Sequence, residues 1–131
     1  MLCNVNVFGT ASVTASFLPL LRASTYHDRR IVNVTSGLGH IGVALSSTSV
    51  FNLNNLELPI YRSSKSALNM NTAFDGYKLK EEGVSVLLAA PGFTRTNLTA
   101  GQGGKDADVA ARQIVRAAVE VDPVEFGGGV G

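Results

Sequence analysis

Four segments of the chain carry a periodic or continuous apolar pattern, and a fifth follows near the end. Over about residues 4–24, Val7, Ala11, Leu18 and Leu21 fall on one helical stripe, which Phe8, Ala15 and Phe17 widen. So broad a stripe predicts a helix packed on more than one side. Pro19 has no N–H to offer Ala15, so a kink or an early end is expected there. Residues 30–36 (RIVNVTS) are rich in β-branched side chains, the pattern of a strand. A second helix is predicted from roughly Tyr61 to Glu82, with Ala67, Met70, Phe74, Tyr77 and Leu79 as its apolar positions and Gly83 as its stop. Residues 84–90 (VSVLLAA) are apolar almost throughout, as in a strand covered on both faces of a parallel sheet. A last helix is expected over about residues 106–121, with Ala107, Ala110, Ile114, Ala118 and Val121 on one side. Two aspartates near its start suit the positive end of the helix dipole.

The connection from Gly37 to about Ile60 is rich in Gly, Ser, Thr and Asn, which predicts irregular structure. Connections of this length inside compact domains are mostly functional or disordered. The closing run of residues 127–131 is too rich in glycine to pack much.

Strand, helix and strand in that order form a βαβ unit, whose crossover is expected to be right-handed. The fold class is therefore α/β. Two strands among three helices do not complete a doubly wound sheet. The first strand would bare a hydrogen-bonding edge unless another strand covered it. The pattern is that of part of a larger α/β domain.

Composition narrows the functions. The 131 residues are 45% hydrophobic and 16% charged, which is globular material. Eleven basic and ten acidic residues are scattered to a net charge of +1, with no basic stripe for nucleic acid. The single cysteine, Cys3, has no internal disulfide partner, which fits a reducing cytoplasm. No basic-then-apolar leader opens the chain, and no run of 18 apolar residues would span a membrane. A soluble cytoplasmic protein without a metal site is expected.

The chemistry gathers at one place. Ligands of open α/β sheets bind beyond the carboxyl ends of the strands. Ser36 follows the first strand and Pro91-Gly92 follow the second, so both should rim one crevice. Tyr61 opens the middle helix and Lys65 lies one turn on, on the same face. A free tyrosine titrates near about 10, and a neighbouring ammonium lowers that value toward useful acid–base range. A serine hydroxyl opposite could hydrogen-bond a reacting carbonyl oxygen. Taken singly, each feature has an ordinary explanation: a surface Tyr/Lys pair, a loop or capping serine, a Pro-Gly turn. Their order is what carries weight.

The stretches NVNVFGTASVTASFLPLL, RIVNVTSGLGHIG, YRSSKSALN and VSVLLAAPGFTRTNLT, in that order, resemble the second half of the short-chain dehydrogenase/reductase family. The resemblance fades after about Gly101, although the last helix and residues 125–128 also fit. It implies a partial Rossmann-like, doubly wound parallel sheet, with residues 1–131 as the C-terminal part of one NAD(P)-binding domain. It implies a catalytic tetrad of Asn6, Ser36, Tyr61 and Lys65. In the family, the tyrosine is the acid/base and the serine orients the substrate. The lysine holds the nicotinamide ribose and lowers the tyrosine pKa, and the asparagine holds a water in a proton relay. Asn6 takes that place rather than Asn4 because it directly precedes Val7-Phe8-Gly9, while Asn33, inside the strand, is expected to be structural. The P-G-x-x-x-T pattern falls on Pro91, Gly92 and Thr96, with the backbone around Thr94, and implies contact with the nicotinamide carboxamide.

Two departures stand out. Ser36 and Tyr61 are about twice as far apart as the family pattern has them, so residues 37–60 are expected to be an inserted loop, read as a substrate-side flap or a plain surface insertion. Ser46, Ser47 and Ser49 rival Ser36 by spacing, but none follows the strand. Second, no G-x-x-x-G-x-G loop and no Asn-Asn-Ala-Gly stretch occurs in the chain, so the main phosphate anchor and the residue that chooses NAD over NADP are not in it.

Two functions follow as expectations. One is an NAD(H)- or NADP(H)-dependent oxidoreductase acting on a small carbonyl or alcohol, present as a truncated copy. The other is a non-catalytic fragment that only docks to a partner or has no function. The resemblance also implies homo-oligomers through the helices near residues 4–24 and 61–82; charge and hydropathy lead to the expectation of neither nucleic acid nor membrane as a partner.

Overall fold

The computed structural model describes residues 1–119. Two strands, β1 (Arg29–Val34) and β2 (Val84–Ala89), pair in parallel with Arg29 opposite Val84 and Val34 opposite Ala89. The four helices are α1 (Thr10–Ala23), α2 (Ile41–Leu45), α3 (Pro59–Leu79) and α4 (Ala107–Val119). A π-helical stretch, Asn4–Gly9, leads into α1. The order β1–α3–β2 is the expected βαβ unit, and the fold is a partial Rossmann-type α/β sheet.

The sheet sits between helices. Asn33 of β1 donates to Thr72 of α3 at 2.9 Å, which turns the odd positions of β1 toward α3. Arg30, one face over, donates to the Ala117 carbonyl of α4 at 3.0 Å. Ala110 and Ala117 are the buried residues of α4, and these small side chains let the helix lie close on β1 and β2. Leu68, Leu79, Val84, Leu87 and Ala89 complete the core.

Several expectations need correcting. Pro19 does not end α1, which runs on to Ala23. Ala15 and Pro19 are both exposed, so water can take the carbonyl that the proline leaves free. The buried side of α3 is Arg62, Ser64, Leu68, Thr72 and Leu79, whereas Met70, Phe74 and Tyr77 point outward. Apolar periodicity misplaced that face because Ser64 and Thr72 are buried by hydrogen bonding. In α4, Ala107 and Ala118 are exposed, and Val121 lies outside the described residues, as do residues 125–131. Residues 37–60 are not irregular throughout. They hold a 3-10 turn (Gly37–Gly39) and α2, and α3 already begins at Pro59.

Gly83 stops the helical run as expected, in the left-handed region at φ 69° after a final 3-10 turn. Each strand has one bonded neighbour among the described residues, so β1 presents a bare outer edge. An open groove of about 960 Å³ runs along that edge, walled by Val13, Phe17 and Leu20 on one side and Ile31, Val32 and Val34 on the other.

Candidate active site

Parallel pairing brings both strand ends to one rim. Val34 lies opposite Ala89, and the Thr35 N–H extends the ladder by donating to the Ala89 carbonyl at 2.9 Å. Ser36 and Pro91-Gly92 therefore leave the sheet side by side. Ser36 is extended, and its Oγ accepts from the Leu38 N–H at 3.2 Å, capping the Gly37–Gly39 turn. That turn runs tightly over α3. A Cβ on the buried Gly39 would stand 2.9 Å from the Lys65 carbonyl carbon, so only glycine fits without a shift. Ser66 Oγ donates to the Gly39 carbonyl at 2.7 Å and holds the contact.

Tyr61 is in the first turn of α3, which Pro59 starts without wasting an N–H. It is half-buried, and Lys65 one turn on has its Nζ 6.0 Å from the centroid of the Tyr61 ring. The ammonium donates to the Val34 carbonyl at 3.0 Å, at the very end of β1. Burial pushes the Lys65 pKa below the ordinary lysine value, because a half-buried ammonium loses hydration. The bond to Val34 holds Nζ at the rim, with Tyr61 on the same face.

Asn6 reaches this place by an indirect route. The π-helical turn on which it sits widens the helix by one residue, a device that re-aims side chains. Asn6 Nδ2 donates to Ser64 Oγ at 3.0 Å, and Ser64 Oγ donates to the Tyr61 carbonyl at 2.8 Å. Ser64 is fully buried, so this relay fixes Asn6 to the turn that presents Tyr61.

Beyond β2, Gly92 has φ 82°, a conformation that favours glycine. Thr94 Oγ1 donates to the Gly92 carbonyl at 3.1 Å, and Thr94 pairs with Lys105 in an isolated parallel bridge. The Arg95 N–H donates to the Lys105 carbonyl at 2.8 Å. Thr96 caps the Asn97–Thr99 turn, its side chain and backbone paired reciprocally with Thr99.

The structure thus joins Asn6 to the turn of Tyr61, and Lys65 to the strand end before Ser36. Among the described residues, no hydrogen bond links Ser36 or the 91–96 turn to Tyr61. Two residues beside Tyr61 went unnoticed in the sequence. One is Ser64. The other is Arg62, which is 6% exposed and makes four hydrogen bonds to backbone carbonyls. Their only sequence signal is their place inside YRSSK, on the inward side of α3. Asn33, by contrast, is structural as expected, buried on Thr72. No group of three or more His, Cys, Asp or Glu residues is placed to hold a metal ion among the described residues. None of the described helices is long and apolar enough to cross a membrane.

Comparison with known proteins gives one answer. The family model for short chain dehydrogenase matches residues 1–107. The chain is 63% identical over 123 residues to the short-chain dehydrogenase anuI of Penicillium roqueforti, covering 94% of this chain and 49% of that protein. It is 37% identical over 98 residues to estradiol 17-beta-dehydrogenase 2 of Mus musculus, covering 75% of this chain and 22% of the relative. Among solved structures, salutaridine reductase from Papaver somniferum superposes with a TM-score of 0.73 at 25% identity, over 91% of this chain and 50% of that one. The fold is shared with NADPH-bound carbonyl reductase from chicken fatty liver, TM-score 0.75 at 20% identity, over 95% of this chain and 50% of that one. The chain spans about half the length of the Penicillium roqueforti relative and of salutaridine reductase.

Proposed function

The chain belongs to the short-chain dehydrogenase family, and on that premise we propose that it is the C-terminal half of one nicotinamide-dependent oxidoreductase domain acting on a carbonyl or alcohol. The observation that carries this reading is the placement of Tyr61 and Lys65 at the carboxyl rim of a parallel sheet, with Asn6 tied to them through Ser64.

The residues present suit the nicotinamide end of a dinucleotide. Lys65 holds a partly desolvated ammonium at the strand end, and Gly92, at φ 82°, turns the chain at the same rim. Lys65 would hold the ribose hydroxyls, and Pro91, Gly92, Thr94 and Thr96 the carboxamide. NAD(H) and NADP(H) both fit this half, because the phosphate-binding loop belongs to the half of the domain that the chain does not span. When bound, the nicotinamide gives or takes the hydride.

The chain's own groups handle the proton and the geometry. The Tyr61 phenol gives its proton to the substrate oxygen in reduction and takes it back in oxidation. Lys65 stabilises the phenolate left behind. The Ser36 hydroxyl donates to the same oxygen and stabilises the charge that develops there. Asn6 holds a water through which the proton is replaced.

The site works in the cytoplasm on a small molecule. Two copies associate through the outward stripe of α3, where Met70, Phe74 and Tyr77 are 70%, 57% and 84% exposed. The alternative, a fragment that only docks, draws on the same stripe and on the bare edge of β1.

The test joins this chain to the other half of the domain and changes Tyr61→Phe. Turnover of a ketone with NADH or NADPH should be lost while cofactor binding persists. Retained turnover in the variant would sink the assignment.

A further inference from the structure

Arg62 follows Tyr61 directly, and its side chain turns inward. Its Nε donates to the Glu57 carbonyl at 2.7 Å, and Nη2 to the Leu56 carbonyl at 2.8 Å and to the Phe51 carbonyl. A longer bond of 3.5 Å runs from Nη1 to the Leu38 carbonyl. Among the described residues no carboxylate pairs with this guanidinium. A charge this deeply buried must be satisfied by hydrogen bonds, and here four carbonyls of one segment do so.

Those four carbonyls span residues 38–57. The segment is otherwise lightly held: Ile41, Leu45 and Val50 are 71%, 72% and 71% exposed. Its turn is built by Asn52, buried, whose Oδ1 accepts from the N–H groups of Asn54 and Asn55 at 2.9 and 3.1 Å. The segment meets the site at Ser36, through Leu38, and at α3, through Gly39. None of its hydrogen bonds reaches residues 91–105 among the described residues. Its bonded partners are the strand end that carries Ser36 and the helix that carries Tyr61.

We propose that Arg62 is a positioning residue that staples residues 38–57 to the turn carrying Tyr61, making that segment a fixed wall on the substrate side of the site. This rests on the oxidoreductase reading for the word substrate, but the staple itself does not. The bulk of the guanidinium matters less than its fork of donors, since one planar group must reach carbonyls from both ends of the segment.

The test uses Arg62→Met and Arg62→Lys in the joined, whole domain, with the bicyclic ketone 2-decalone as probe. Arg62→Met should speed amide hydrogen exchange across residues 41–57 at least tenfold. It should also raise KM for 2-decalone about tenfold, with the KM of the nicotinamide cofactor and the pH profile of kcat unchanged. Arg62→Lys should restore part of both effects. Should Arg62→Met fail to fold, Asn52→Ala loosens the same turn without touching α3 and should move both readings in the same direction. Unchanged exchange in the folded variant, or a cofactor KM that rises with the ketone KM, overturns the proposal. If the parent protein turns over no ketone, that result counts against the oxidoreductase reading, and exchange alone decides on the staple.

Discussion

Asn6 and Ser64, 58 positions apart in the chain, meet in a hydrogen bond of 3.0 Å from Asn6 Nδ2 to Ser64 Oγ. Because Ser64 also donates to the Tyr61 carbonyl, one buried hydroxyl serves as both acceptor and donor. Helix and π-helical turn are thereby locked together beside Tyr61.

Ser64→Ala removes both bonds at a fully buried position. Stability should fall by about 1–3 kcal/mol, read from urea denaturation of the joined domain. Turnover should fall as well, since Asn6 loses its tie. An unchanged denaturation midpoint would mean that the relay holds nothing in place.

Lys65 carries a pH signature. Its folded pKa lies below the ordinary lysine value because burial disfavours the ammonium. Between the folded and unfolded pKa values the unfolded state binds more protons, so stability rises with pH in that window. Below it both states are protonated and the full penalty remains. Carbon-13 NMR of the lysine ε-carbons should show Lys65 titrating early, and Lys65→Met should abolish that part of the stability slope. A Lys65 resonance titrating at or above the ordinary lysine value would refute this.

Gly103 is the residue that keeps the turn after β2 folded. Its φ is 144°, and a Cβ there would stand 2.5 Å from both the Arg95 nitrogen and the Thr94 carbonyl carbon. Gly103→Ala should cost at least about 1–3 kcal/mol and disturb the Thr94–Lys105 bridge. Cofactor KM should rise more than the KM for a ketone, and equal changes in both would argue against a cofactor role for this turn.

Asn33→Ala should destabilise by about 1–3 kcal/mol, because it removes a buried donor from Thr72. Thr72 Oγ1 keeps its own bond to the Leu68 carbonyl, so the loss should stay at the low end of that range. Thermal unfolding of the variant gives the check, with activity per folded molecule unchanged.

The elements that local pattern determines were legible in the sequence. RIVNV and VSVLLA are β-branched or continuously apolar, and both are strands within a residue or two of their expected ends. Gly83 marked a true stop. The inward face of α3 was not legible, because Ser64 and Thr72 are buried by partners on Asn6 and Asn33 that lie far away in the chain. Nor was α2, whose residues IGVAL are flanked by turn-formers and held by the Leu53 N–H on the Ala44 carbonyl at 3.0 Å. Within YRSSK the sequence drew attention to Tyr61 and Lys65 and passed over Arg62. A long-range set of carbonyls is what buries it, and carbonyls leave no trace in the side-chain alphabet.

The outer side of β1 sets a grammar for whatever finishes the sheet. Ile31 and Asn33 turn toward α3, and Arg30 and Val32 toward α4. An incoming strand can therefore slide only in steps of two residues. A slip of one would send its greasy side chains into the wrong layer. A second polypeptide supplying such a strand, mixed with this chain, would thus find its register in six residues of main chain.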